Sequence, residues 1–280
     1  MIEYELKHST GHVLNDAAYA ALPQYRHLAA VHLGAVGSSA DPPSVSIRMP
    51  QKPFDQGQTS SCTGHACSRA INTSFACARQ PLPFIVSPMG IYTPARCLER
   101  AAFIVDATAE PLGDDGADAQ QCSRAVSLFG VCALGLPTAM ASDGRFSDAD
   151  PETVNSEPDF DALLKAAKTI LIGQEGIASV AEAKHALARG IGVTLAIYVD
   201  RTVDNYQRGD APLGAPDKSS KGGWHYIMLD GYRTLEDGTT VFAWANSWGE
   251  GWGNDGFGEG DEDWFRAGRE CIAWPVRKVA

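Results

Sequence analysis

Long apolar runs are missing from this 280-residue chain. No stretch of eighteen apolar residues occurs, which excludes a bilayer-spanning helix. Blocks of basic residues are missing too: 23 Lys and Arg stand against 34 Asp and Glu, for a formal net charge of -11. Nucleic acid and anionic membrane both need basic patches, so neither is expected as a partner. Residues 1–8 lack the basic start and apolar run of a secretory signal. The expected location is cytoplasmic, or outside the cell by a route without an N-terminal signal peptide. Cysteine is sparse: Cys62, Cys67, Cys77, Cys97, Cys122, Cys132 and Cys271 are odd in number and irregularly spaced, unlike a disulfide framework. Whether Cys122 and Cys132 pair is left open by spacing alone. No internal repeat is present, which excludes solenoids and arrays.

The composition that remains, 44% hydrophobic and 20% charged, is that of a globular chain with length for a sizeable core. Residues 1–41 read as a separate extension, helical from 15 to 35 with a break at Pro23, followed by the Gly/Ser/Pro-rich linker 37–43. Residues 42–280 read as one domain. Within it the patterns predict a short strand at 44–48 and helices at 62–78, 87–102, 119–129 and 179–188. A strand follows at 192–199, then a hairpin of strands 224–232 and 240–246 turning at Gly238. Residues 142–160 and 200–223 read as loops, and the acidic cluster Glu259, Asp261, Glu262 and Asp263 as a solvated loop.

The chemistry starts at the loop Asp55-Gln56-Gly57-Gln58-Thr59-Ser60-Ser61-Cys62, which runs into a helix with the cysteine at the junction. Unpaired N–H groups and the helix dipole at that position favour a thiolate, so Cys62 is the candidate nucleophile. Ala66, Ala70, Thr73 and Cys77 then recur at helical spacing as a stripe of small side chains suited to close packing. Gln56, six residues upstream, is placed to turn its amide toward the sulfur as an oxyanion donor. Cys62, His65 and Cys67 also have a zinc-ligand spacing, but no second Cys/His cluster completes a tetrahedral site. No metal or cofactor is therefore expected.

His225 begins one strand of the hairpin and Asn246 ends the other, so antiparallel pairing brings them to one end of the sheet. An imidazole beside a thiol takes its proton, and an amide accepting from the other ring nitrogen fixes tautomer and orientation. Taken singly, His225 is equally a satisfied strand histidine and Asn246 a turn residue.

The segment Asn246-Ser247-Trp248-Gly249-Glu250-Gly251-Trp252-Gly253-Asn254-Asp255-Gly256-Phe257 resembles the asparagine segment of papain-like cysteine peptidases. Gln56-Gly57 ahead of Cys62, and Gly223-Trp224-His225 leading into Leu229-Asp230-Gly231-Tyr232, resemble that family's oxyanion glutamine and histidine strand. Weaker similarity extends the match over residues 42–274. The chain departs from the pattern at Thr63, where an aromatic residue usually follows the nucleophile, and at Thr59, where secreted members carry a disulfide cysteine. In this it looks like the bacterial branch without the secretory disulfides. His225 and Asn246 also lie further from Cys62 than the family's usual separation of about 130 to 150 residues.

The resemblance implies an α+β fold, a helical half carrying Cys62 and a β-rich half carrying His225 and Asn246, with the active-site cleft between them. It implies hydrolysis of a peptide or protein substrate through a thioester, with Cys62, His225, Asn246 and Gln56 catalytic. It also implies that Gly116 and its neighbour Asp115 border the substrate on the amino side of the scissile bond, and that Trp248 lines the cleft. Asp114 and Asp115 would then favour basic side chains there. Transfer of the acyl group to an amine and a catalytically silent peptide-binding protein are the alternative readings. The oligomeric state is not indicated. Residues 1–41 are too short for the long inhibitory propeptide of lysosomal members, and are expected to cover or border the cleft as an accessory segment or short prosegment.

Overall fold

A computed structural model describes residues 6–8, 10–22, 41–101, 114–134 and 168–277 of the chain. The expectations placed on 23–35 and 142–160 lie outside the described residues. The strands are β1 (Ser44–Ser46), β2 (Glu175–Gly176), β3 (Val193–Val199), β4 (Gly223–Thr234), β5 (Thr240–Ala245), β6 (Phe257–Gly260) and β7 (Arg269–Ala273). The helices are α1 (Asp16–Ala20), α2 (Cys62–Cys77), α3 (Met89–Ala101), α4 (Ala119–Phe129), α5 (Val180–Ala188), α6 (Arg201–Asp204) and α7 (Glu262–Ala267).

The strands form one sheet in the order β2-β7-β3-β4-β5-β6, with β1 paired to β4, and the pairings are antiparallel. Side chains along β3 alternate in the period of two that a strand imposes. Val193, Leu195, Ile197 and Val199 join a core with α5, α7 and the Trp244, Trp252 and Trp264 cluster. Ala196, with Tyr226 and Met228 of β4, faces the opposite core, built from α2, α3 and α4. The sheet is thus covered on both faces, and α2 is the helix that lies against it. Every residue from Cys62 to Phe75 is buried. Small side chains permit this: a Cβ added at Gly192 would stand 2.5 Å from Ala70 O.

The helix ends follow local chemistry. The Asp118 carboxylate accepts from Gln121 N at 2.7 Å at the start of α4, and Gly130 closes it with φ 79°. Ser179 caps α5 through Glu182 N at 3.2 Å. Ser87 Oγ accepts from Gly90 N at 3.0 Å as α3 begins. Two sequence expectations change. The stretch 200–223 holds α6, capped by Asp200 through Thr202 N and Val203 N. The acidic cluster is ordered structure: Glu259 lies on β6 and pairs with Arg233 (Nη2 to Oε2 2.8 Å), Asp261 caps α7, and Glu262 and Asp263 fill its first turn beside Arg266. None of the seven cysteines forms a disulfide, Cys122 and Cys132 included.

Candidate active site

Cys62 opens α2, and its sulfur points to where that helix meets β4. Its side chain is fully buried. The Tyr226 N–H, from the residue following His225, and the Gly11 N–H face the sulfur, and the Thr63 hydroxyl oxygen lies 4.0 Å from it. Burial pushes the thiol up to about 11, and these donors only partly offset it. The helix start was expected to lower the thiol; here desolvation outweighs it, because removing a thiolate from water costs more than a partial dipole charge returns.

His225 is also fully buried, and Asn246 Oδ1 lies 2.7 Å from its Nε2. An amide oxygen only accepts, so Nε2 carries the proton and Nδ1 keeps its lone pair. Nδ1 has no hydrogen-bond partner among the described residues. Desolvation pushes the His225 imidazolium down to about 3 against the opposing Asn246 bond, which leaves a neutral ring with a base at Nδ1. Ser247 N donates to the same Asn246 oxygen at 2.8 Å, and Trp248 packs over the imidazole with ring centres 4.6 Å apart.

Gln56 is held from both ends. Its Nε2 donates to Thr59 O at 2.7 Å, its Oε1 accepts from Ser247 Oγ at 2.5 Å, and its backbone N–H donates to Ser247 O at 2.7 Å. The glutamine loop and the asparagine segment are thereby tied together beside Cys62. His65, one turn along α2, turns its Nδ1 to Ser61 O at 2.9 Å rather than toward Cys62 or Cys67. Among the described residues no group of three or more His, Cys, Asp or Glu is arranged to hold a metal.

The Gly116 turn packs against the nucleophile loop and α3. Gly116 has φ 93°, a conformation suited to glycine. Asp115 is exposed. Asp114 is occupied: Tyr92 OH donates to Oδ1 at 2.6 Å and Ser60 N to Oδ2 at 2.8 Å. It fixes the turn to α3 and to the nucleophile loop, so its expected contact with substrate gives way to a structural one. Thr63, the departure after the nucleophile, belongs to the same link, donating its hydroxyl to Ala117 O at 2.9 Å.

Residues 6–8 and 10–22 lie over the start of α2 and along β4. Lys7 N donates to Asp204 Oδ2 at 2.9 Å, and His8 pairs with Asp204 Oδ1 at 2.7 Å while stacking on Trp248 at 4.5 Å. Gly11 lies against the nucleophile loop so closely that a Cβ there would be 2.2 Å from Ser60 O. His12 N donates to Trp224 O at 3.1 Å, and the His12 ring stacks on Tyr226 at 4.5 Å. Ala117 N–H donates to Gly11 O at 3.1 Å and Val13 N–H to Ala117 O at 3.3 Å. Tyr19 OH, on α1, donates to Ile177 O at 2.8 Å. The sequence singled out none of His8, His12, Asp204 or Glu270, whose positions follow from contacts spanning about the whole chain rather than from a local motif.

This geometry is that of a papain-like fold, shared with several solved structures. Xylellain, a cysteine protease from Xylella fastidiosa, superposes with a TM-score of 0.71 at 21% identity, covering 99% of this chain and 100% of that one. Digestive procathepsin L 3 of Tenebrio molitor larval midgut gives 0.62 at 18% identity, over 86% and 72% of the two chains. Bromelain from Ananas comosus, in complex with the inhibitor E64, gives 0.56 at 15% identity over 84% and 100%. No curated protein matches the chain. Residues 146–265 match the model of the papain family cysteine protease, a span that contains His225 and Asn246 and ends short of Cys62 on the N-terminal side. The chain thus has a papain-like fold.

Proposed function

We propose that this cysteine peptidase hydrolyses peptide bonds with Cys62 as nucleophile, His225 as acid and base, and Asn246 as the residue that orients His225. The observation that carries the reading is the 2.7 Å bond from His225 to Asn246, which leaves Nδ1 unprotonated and unpartnered next to the strand position whose N–H faces the Cys62 sulfur. In the reaction Nδ1 takes the thiol proton as the sulfur attacks the peptide carbonyl carbon. The resulting oxyanion is held by the Cys62 N–H and a Gln56 Nε2–H. The protonated His225 gives its proton to the leaving amine, and the C–N bond breaks to leave a thioester. Water, deprotonated by Nδ1, then attacks the thioester, releasing the acid and restoring the thiol.

Residues 1–41 act in this reading as a short prosegment that keeps the enzyme latent. The segment presents an amide N–H to the Cys62 sulfur, not a carbonyl carbon, so it fills the cleft without offering a bond to attack. A neutral thiol and a neutral imidazole fit that resting state.

The test uses the full chain with an E64-type epoxide, followed by peptide mapping and by mass spectrometry of products from a peptide substrate with and without an added amine. Label on Cys62, together with hydrolysis lost in Cys62→Ala, nearly lost in His225→Ala and reduced less in Asn246→Ala, is expected. Undiminished turnover by folded Cys62→Ala would falsify the assignment, and an amide product in place of the acid would assign acyl transfer instead.

A further inference from the structure

Next to the Asn246 amide that orients His225, three buried polar groups line one small cavity. His65, Arg69 and Asn246 are 1%, 2% and 3% exposed. With Phe54 and Met228 they line a space of about 10 Å³, room for a single water molecule. Among the described residues His65 Nε2, Arg69 Nε and Asn246 Nδ2 have no hydrogen-bond partner. Buried polar groups of native chains are almost always paired, so three such atoms around one cavity call for something bound between them.

The hydrogens around the cavity follow one from another. Thr59 Oγ1 donates to Gln56 O at 2.7 Å, so toward Ser61 Oγ, 2.6 Å away, it accepts. Ser61 Oγ has then given its proton to Thr59. Toward His65 Nδ1, both Ser61 Oγ at 3.1 Å and Ser61 O at 2.9 Å therefore accept. Nδ1 of His65 carries the ring proton and Nε2 a lone pair. Burial, which pushes His65 down to about 4, keeps the ring neutral. Asn246 Oδ1 already accepts from His225 Nε2 and Ser247 N, which fixes the other end of the amide, Nδ2, as a donor. The cavity thus meets one acceptor, His65 Nε2, and two donors, Asn246 Nδ2 and Arg69 Nε. A cation would face the two donors and an anion would face the lone pair. Water, with two lone pairs and two hydrogens, matches all three.

We propose that one structural water binds here, donating to His65 Nε2 and accepting from Asn246 Nδ2 and Arg69 Nε, and that His65 is a positioning residue acting on His225 through this water and the Asn246 amide. The role in catalysis rests on the peptidase reading above. With the water bound, Nδ2 is satisfied in the amide orientation that presents Oδ1 to His225. Turned over, the amide would set Nδ2 against the His225 Nε2–H and the Ser247 N–H, donor to donor. The series from Gln56 O through Thr59, Ser61, His65 and the water to Asn246 then joins the loop of the oxyanion glutamine to the base, so a change at His65 reaches the triad without touching substrate.

Two measurements on the full, unaltered chain at neutral pH test the site without any turnover. A high-resolution crystal structure is expected to show one water within hydrogen-bond distance of His65 Nε2 and Asn246 Nδ2, and nitrogen NMR of the imidazole rings to show His65 as the neutral Nδ1–H tautomer. A dry cavity, an ion in place of the water, or a proton on His65 Nε2 would each overturn the proposal. Peptide hydrolysis then tests the positioning role. His65→Phe, which fills the place of the ring without a lone pair, is expected to lower kcat about tenfold with KM unchanged. His65→Gln, which keeps an acceptor at the ε position, should retain most of the rate. In an Asn246→Ala background His65→Phe should have no further effect, because the amide it acts through is gone. A loss of equal size in both backgrounds, a loss carried by KM, or a kcat indifferent to His65→Phe would overturn the role. An unaltered chain that neither hydrolyses peptides nor takes an epoxide on Cys62 fails the peptidase reading and takes the positioning role with it, while the crystal and NMR measurements still decide the water.

Discussion

Acidification is expected to destabilise the closed chain through two buried histidines. Desolvation pushes His225 down to about 3 and His65 down to about 4, from an ordinary 6.5. A depressed pKa means that the folded state prefers the neutral ring. The stability each group contributes is full above 6.5 and is lost as pH falls toward the folded value. Between pH 7.5 and 4.5 each ring forgoes about two pKa units, or about 2–3 kcal/mol, so the pair amounts to about 5 kcal/mol. That equals a large share of the 5–15 kcal/mol that holds a typical domain together. Asp230 works the other way: burial raises its carboxyl, and acid stabilises it. Cys62 has no part in this window, because its thiol titrates between 9 and about 11. Thermal melts of the full chain at half-unit steps from pH 7.5 to 4.5 provide the assay. A drop on the order of 10 °C is expected, at about 2–4 °C per kcal/mol, with about half of the dependence lost in His225→Gln. A melting temperature flat across the range, or a His225→Gln profile parallel to that of the unaltered chain, would refute the reasoning.

The remaining predictions concern the oxyanion and the segment. Gln56→Ala should lower kcat by about 10²-fold with a smaller effect on KM, as loss of a transition-state donor does; a change in KM alone would reject the role. Gly11→Ala places a Cβ 2.2 Å from Ser60 O in the closed form only, so it should expel the segment and speed epoxide labelling of Cys62 by about tenfold or more. Val13→Ala, at an exposed position, serves as the control.

Much of the architecture was legible in the sequence because its signals are local. The bounds of α4 follow from Asp118 at one end and Gly130 at the other, and α5 follows from Ser179, each cap acting within four residues. His225 and Asn246 were legible because a two-strand hairpin has one simple geometry, and their 2.7 Å contact follows from it. The acidic cluster was misjudged for the opposite reason. Glu259 takes its meaning from Arg233, twenty-six residues away, and the capping Asp261 ahead of Trp264 and Phe265 was outweighed by the density of negative charge. The state of the thiol was misjudged in the same way. A helix dipole is a property of α2 itself, whereas the burial that overrides it comes from packing between segments distant in the chain.

The pairing of His12 with Glu270 spans 258 residues and joins one of seven histidines to one of thirty-four acidic side chains, so no sequence pattern singles it out. Its weight comes from the tether. A segment joined to the enzyme it covers has an effective concentration on the order of millimolar, so an intrinsic dissociation constant of about 10 µM would keep the cleft closed about 99% of the time. Contacts too few to make a tight free inhibitor suffice in the same chain: the buried His12–Glu270 contact, the His8–Asp204 contact, and the two backbone bonds with Ala117. A substrate that enters must replace those contacts without the tether's advantage.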